Sequence, residues 1–324
     1  MPANLPPQFY QLEREYREKK TIKEKIEVLK KMYAIMPKHK GTDKLQAEIK
    51  ARISKLREEL ENEKKRGGKR NFIHIEKEGA GQIVLVGPPN TGKSTILSML
   101  SNARPEIGDY PFTTKTPCVG MVPFEDIQLQ MVDLPPIAEG SIPFWVVEIV
   151  RNSDLVLIVL SFDLNIEEEF KKLTELLREK KIEVVREPSE EGIFGMIKKK
   201  GIVFINKKDE AEDVDLVKSN LSLKVLSGSS FDEKDLDELK RVLFEELGII
   251  RVYTKEPGKP PDFKDPIILK EGATVYDAAE RLHKEIARKL KYARLWGSSK
   301  FDGQRVFKNQ VLKDKDIVEF HTKK

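Results

Sequence analysis

Residues 83–86 are four apolar residues that run directly into Gly87-Pro88-Pro89-Asn90-Thr91-Gly92-Lys93-Ser94, and this junction constrains the fold more than any other feature. The octad matches G-x-x-x-x-G-K-[ST], a turn whose backbone N–H groups and following helix N-terminus surround phosphate oxygens. The turn works only between a strand and a helix, and residues 83–86 and 94–100 read as that pair. Pro89, Asn90, Thr91, Gly92, Lys93, Ser94 and Thr95 are therefore the expected phosphate contacts. Lys93 is placed to reach the β- and γ-phosphates as a catalytic group, and Ser94 to ligate magnesium.

The surrounding sequence supplies the layers such a loop needs. Short apolar runs at 83–86, 129–132, 155–160, 202–205 and 224–226 read as buried strands alternating with helical stretches at 94–100 and 167–178. That alternation predicts an α/β domain with a mainly parallel sheet and helices on both faces over residues 71–249. Before it, Ile22, Ile26, Leu29, Met32, Tyr33 and Met36, then Leu45, Ile49, Ile53, Leu56 and Leu60, recur at helical spacing and predict a helical hairpin. Lys64-Lys65-Arg66-Gly67-Gly68-Lys69-Arg70 reads as a linker, so residues 1–70 form a basic arm. A third domain is expected over residues 250–324, where Val275, Ala278, Ala279, Leu282, Ile286 and Leu290 form one apolar helical stripe assigned to its core.

A phosphate loop does not choose a base. Asn206-Lys207-Lys208-Asp209 follows the strand at 202–205 and resembles the GTPase N-K-x-D box, whose aspartate accepts the guanine N1 and N2 protons while the lysine lies along the base. Adenine offers no such donor pair, which counts against an ATP-dependent kinase. Ser227-Gly228-Ser229 resembles the later S-A-K box that gives an amide to the guanine oxygen. Asp133-Leu134-Pro135-Pro136 resembles the D-x-x-G box, making Asp133 a magnesium residue through water. Thr113 and Thr114 occupy the loop where a threonine completes the magnesium shell, and Thr114 is the favoured metal-binding and catalytic choice.

Gly108-Asp109-Tyr110-Pro111-Phe112-Thr113-Thr114 and Asp133-Leu134-Pro135-Pro136-Ile137-Ala138-Glu139-Gly140 together resemble the Obg family of GTPases. The helical hairpin, from Lys44-Leu45-Gln46 to Glu58-Glu59-Leu60, resembles within that family the developmentally regulated GTP-binding proteins. Arg251-Val252-Tyr253-Thr254-Lys255, Pro260-Pro261-Asp262-Phe263 and Tyr292-Ala293-Arg294-Leu295-Trp296-Gly297 resemble the TGS domain, a ubiquitin-like β-grasp module. The resemblance implies GTP and GDP as ligands with magnesium and association with ribosomes or RNA, and Ile137 makes slow intrinsic hydrolysis the expectation. Two departures from the family stand out, the short stretch left for an insertion and Pro136. Only about residues 181–200 are available for the insertion such proteins carry inside the GTPase domain. Pro136 stands where a glycine N–H senses the γ-phosphate, and Ile137 where many GTPases keep a water-orienting glutamine. Asn90 is the residue with which some GTPases recruit potassium.

Charge and composition narrow the partners. Residues 1–70 carry 20 Lys/Arg against 11 Asp/Glu and residues 251–324 carry 18 against 11, whereas the middle carries 21 against 32. Two basic arms around an acidic centre would draw a polyanion such as RNA. Arg294, Trp296, Lys300 and Arg305 add an aromatic and positive charge to the tail. A single cysteine, Cys118, permits no internal disulfide, and no apolar run nears the ~20 residues of a membrane span, so a cytoplasmic protein is expected. His39, His74, His283 and His321 form no ligand-spaced cluster. The leading expectation is a slow GTPase docking on ribosome or RNA through both arms. The alternative is a nucleotide-stabilised module, gripping a protein partner, with little hydrolysis or switching.

Overall fold

The computed structural model describes residues 6, 8, 9, 12, 16, 22–37, 42–66, 75–101, 106–107, 116–137, 142–188, 195–210 and 221–323. The chain divides into two compact units, Met1–Phe72 and Ile73–Lys324. In the first, α1 (Ile22–Ile35) and α2 (Asp43–Arg66) close on a core of Phe9, Val28, Leu29, Met32, Met36 and Ile49. Thr42 Oγ1 and Gln46 Nε2 both donate to Pro37 O, at 2.6 and 3.2 Å, which fixes the turn between the helices. The helix α2 runs through Lys64-Lys65-Arg66, which the sequence assigned to a linker.

In the second unit, β1 (Gln82–Val86), α3 (Lys93–Leu100), β2 (Glu106–Ile107), β3 (Cys118–Phe124), β4 (Ile127–Asp133), α4 (Phe144–Asn152), β5 (Leu155–Ser161), α5 (Ile166–Glu179), β6 (Ile182–Val185), β7 (Ile197–Asn206), β8 (Lys224–Ser227) and α6 (Glu233–Leu247) build one layered body. The sheet order is β2-β3-β4-β1-β5-β7-β6, with β8 also on β7. All pairings from β4 onward in that order are parallel, and β2–β3–β4 are antiparallel. Alternation along β1 explains why every residue in it is buried. Val84 and Val86 enter a core with Val146 and Val150 of α4 and Leu173 of α5, while Ile83 and Leu85 enter another with Ile96 of α3 and Leu239 of α6. Cys118 is a half-buried strand residue opposite Asp133, and burial pushes its thiol up. Residues 182–185 and 197–200, within the stretch available for an insertion, form a short parallel pair.

The chain then enters β9 (Ile249–Lys255), β10 (Pro261–Lys270), α7 (Val275–Leu282), α8 (Lys284–Lys289), β11 (Leu290–Trp296), β12 (Gln304–Val306) and β13 (Asp316–Thr322). Their order, β10-β9-β13-β11-β12, puts the parallel β9–β13 pair at the centre of an otherwise antiparallel sheet, the β-grasp arrangement. The expected apolar stripe is corrected here. The helix stops at His283, whose φ of −166° is extended, and its ring Nδ1 caps α8 by accepting from Glu285 N at 3.2 Å. Leu282 is consequently 45% exposed and Leu290 opens a strand, so only Val275, Ala278 and Ala279 of the stripe lie fully buried.

A cluster of polar contacts around Arg251 helps fasten this tail to the layered body. Arg251 on β9 is 2% exposed and donates to Glu125 and Asp126 in the β3–β4 turn at 2.6 and 2.7 Å, and to Asp314 at 2.6 and 3.0 Å. Its guanidinium lies 4.8 Å from the Phe244 ring of α6, which itself stacks on Phe124. Tyr253 Oη donates to Asp126 at 2.6 Å. Burial and that carboxylate push the tyrosine up to about 12.

Candidate nucleotide site

The phosphate loop leaves β1 and closes on α3, whose N-cap Gly92 takes φ 88°. A side chain is barred there twice: the conformation is left-handed, and a Cβ would sit 2.2 Å from Asn206 Nδ2. Thr91 is fully buried and Asn90 exposed, with φ 63°. The Lys93 ammonium donates to Gly87 O and Pro88 O at 3.0 and 2.6 Å, inside the curve of the loop. Burial is the main force on it and lowers its pKa to about 8, against the opposing pull of Asp133.

Asp133 ends β4 beside this lysine, 9% exposed. Ser94 Oγ donates to its Oδ2, while Oδ1 is buried without a hydrogen-bond partner. Burial raises the Asp133 pKa despite the Ser94 bond and Lys93. A desolvated carboxylate oxygen with no donor, next to a serine hydroxyl, is the donor set that a hard divalent cation completes. The following segment turns back onto the loop: Leu134 N donates to Leu85 O and Ile137 N to Gly87 O, each at 3.3 Å. Ile137 is 7% exposed in the core beside α5. Thr113 and Thr114 lie outside the described residues.

The base loops stand at the ends of neighbouring parallel strands, the usual location of ligands in such sheets. Asn206 ends β7, is 1% exposed, and donates from Nδ2 to Thr91 O at 3.0 Å and to Ser230 Oγ at 3.4 Å. Its Oδ1 accepts from Ser230 N at 2.9 Å. One amide therefore ties the phosphate loop to the loop after β8. Lys207, at φ 61°, is held by Asp163 at 2.8 Å, and Asp209 sits exposed in the next short helical turn. In the third loop Gly228 N donates to Ile205 O at 3.0 Å and Ser229 N to Asp235 Oδ2 at 2.8 Å. Sequence reading missed Asp163, Ser230 and Asp235. Asp163 and Ser230 lie just past the ends of β5 and β8 and Asp235 in the first turn of α6, but no motif names them.

Among the described residues there is no cluster of His, Cys, Asp or Glu fit to hold another metal, and no helix long and apolar enough to cross a membrane. Comparison with known proteins agrees with this geometry. Residues 82–187 match the family described as 50S ribosome-binding GTPase, and residues 250–322 match the TGS domain. A GTP-binding protein of Methanocaldococcus jannaschii is 28% identical, covering 92% of both chains. Developmentally-regulated G-protein 1 of Arabidopsis thaliana is 28% identical over 94% of this chain and 92% of its own. Developmentally-regulated GTP-binding protein 2 of Homo sapiens is 26% identical over 92% and 98%, in an alignment of 358 positions that exceeds the 324 residues here, so that relative carries segments this chain lacks. The chain thus carries a P-loop GTPase domain followed by a TGS domain, and is similar along nearly its whole length to the developmentally regulated GTP-binding proteins.

Proposed function

We propose that this protein binds GTP and GDP, hydrolyses GTP slowly, and acts on the ribosome or RNA through its basic hairpin and TGS domain. The observation that carries the nucleotide reading is the Asn206 bridge, because it brings a phosphate loop and a base loop to one place. Phosphates lie along residues 89–95, Asp209 takes the guanine edge, Lys207 flanks the base, and Ser227, Gly228 and Ser229 close its far side. Ser94 and Asp133 would hold magnesium, with Thr114 as the third protein group by its place in the loop motif. The ion would neutralise charge on the β- and γ-phosphates. Asn90, exposed beside them, is the position for a potassium ion.

Slow turnover follows from two side chains. Pro136 has no N–H to give the γ-phosphate, and Ile137 directs an apolar side chain into the core where a water-orienting amide is needed. GTP and GDP dissociation constants measured by titration with magnesium should agree within about tenfold. Single-turnover hydrolysis should run at or below about 10⁻³ s⁻¹, and faster in potassium than in sodium. A strong preference for GTP would overturn the assignment of Pro136. The same two residues support a second reading, a nucleotide-stabilised binding module without a working switch. Stimulation of single-turnover hydrolysis by ribosomes separates the first reading from it.

A pH dependence also follows. With its pKa lowered to about 8 in the nucleotide-free site, Lys93 loses its proton as pH rises through that value. Phosphate favours the protonated form, so binding takes up a proton above pH 8. Nucleotide affinity should therefore fall as pH climbs from about 8 to 9.5, with a slope approaching tenfold per pH unit, as read by calorimetry in buffers of different ionisation enthalpy.

A further inference from the structure

The TGS sheet has two faces, and period-two alternation assigns each residue to one of them. Val252, Val318, Ala293, Leu295 and Val306 face inward with Val275 and Ala278 of α7. Their neighbours Arg251, Tyr253, Glu319, His321, Tyr292, Arg294 and Arg305 therefore face outward. The β9 end of that outer face is covered by the Glu125–Asp126 turn through Arg251 and Tyr253. The far end, across β13, β11 and β12, carries flat groups in a row. Tyr292 stacks on His321 with centroids 4.5 Å apart and planes at 13°. The Arg305 guanidinium lies 4.2 Å from the Tyr292 ring and 5.8 Å from Phe307, which is 62% exposed. Glu319, the acid among them, is 5% exposed and already bonded by Lys255 and His321. Arg294 is exposed on the same strand as Tyr292.

We propose that this open half-face is a stacking platform for unpaired RNA bases, a reading that names the surface used by the RNA association put forward above. Phe307 offers an exposed π-face, Tyr292 is held between His321 on β13 and Arg305 on β12, and the guanidinium of Arg305 is itself a flat cation that stacks on a base. Net positive charge remains after Glu319 is neutralised, so phosphates are attracted to the same surface. Paired bases hide their faces, so the platform selects single strands over duplex. An acidic peptide would meet the cations and leave the rings unused.

The test is fluorescence anisotropy of the full chain, loaded with GDP and magnesium, against a labelled oligouridine of about ten nucleotides and an RNA duplex of equal length. The single strand should bind more tightly than the duplex. Phe307→Ala and Tyr292→Ala should each weaken it about tenfold, with little change in the salt slope, because neither removes a charge. Tyr292→Phe should restore binding, and Arg305→Lys, which keeps the charge, should still weaken it. Phe307 is exposed, so its variant tests the platform even if Tyr292→Ala misfolds. Oligouridine binding that is indifferent to Phe307→Ala and Arg305→Lys would overturn the platform and leave the RNA reading standing. Failure to bind either RNA would overturn both, and equal competition by polyglutamate would reassign the face to an acidic protein.

Discussion

Replacing Asp209 by alanine is expected to weaken GDP binding a hundredfold or more while leaving the melting temperature of the nucleotide-free protein within about 2 °C of wild type. The carboxylate is exposed at the mouth of the site, so its removal disturbs no packing. On the function proposed above it would accept two guanine protons, and charge-assisted hydrogen bonds contribute about 1.5–3 kcal/mol each. Two of them give a hundredfold at the low end. Asn206→Ala should behave differently, although it belongs to the same four-residue box. It strips partners from the Thr91 carbonyl and the Ser230 N–H, both at buried residues, so the protein should lose about 2 kcal/mol of stability before any nucleotide is added. Equal melting temperatures for the two variants, alongside equal losses of affinity, would refute the distinct roles.

The second large effect belongs to Arg251. Its alanine variant should lose about 3 kcal/mol, which in a body of this size lowers the melting temperature by roughly 6–12 °C. The lower end of the range for a broken buried ion pair applies because Glu125, Asp126 and Asp314 keep partial access to water, with side chains 48%, 25% and 31% exposed. The guanidinium also covers Phe244, so a charge-preserving change does not suffice. Arg251→Lys should recover less than half of the loss, since an ammonium cannot serve three carboxylates and two ring faces in one plane. Differential scanning calorimetry checks both variants, and a lysine variant as stable as wild type would mean that charge alone matters.

What the sequence made legible was local. The phosphate loop, the buried strands and Asn206–Asp209 are contiguous patterns whose chemistry depends on spacing, and Lys93, Ser94, Asp133 and Asn206 converge as that spacing implies. The Arg251 cluster was illegible because its partners lie 126 and 63 positions away, and nothing in a lone arginine says which acids it will meet. The tail helix misled for another reason. Apolar spacing continues past Leu282, but the extended backbone at His283 breaks the helix and a ring nitrogen caps the next one. Asn206 shows the limit inside a recognised motif: its spacing places it at the base, whereas its amide is occupied with holding two loops together.

The β3–β4 hairpin carries Asp133 at one end and the Glu125–Asp126 turn at the other. Six residues of β4 separate Asp133, the proposed cation ligand, from the Glu125–Asp126 turn by about 20 Å of strand. β4 is laddered to β3 along its whole length and to β1 over Gln130–Asp133, so it does not stretch or slip without breaking hydrogen bonds. A shift of Asp133 along that axis would be delivered to β9, and a load applied to the TGS sheet would arrive at the proposed magnesium position. The traffic must run equally both ways, because free-energy coupling between two sites is reciprocal.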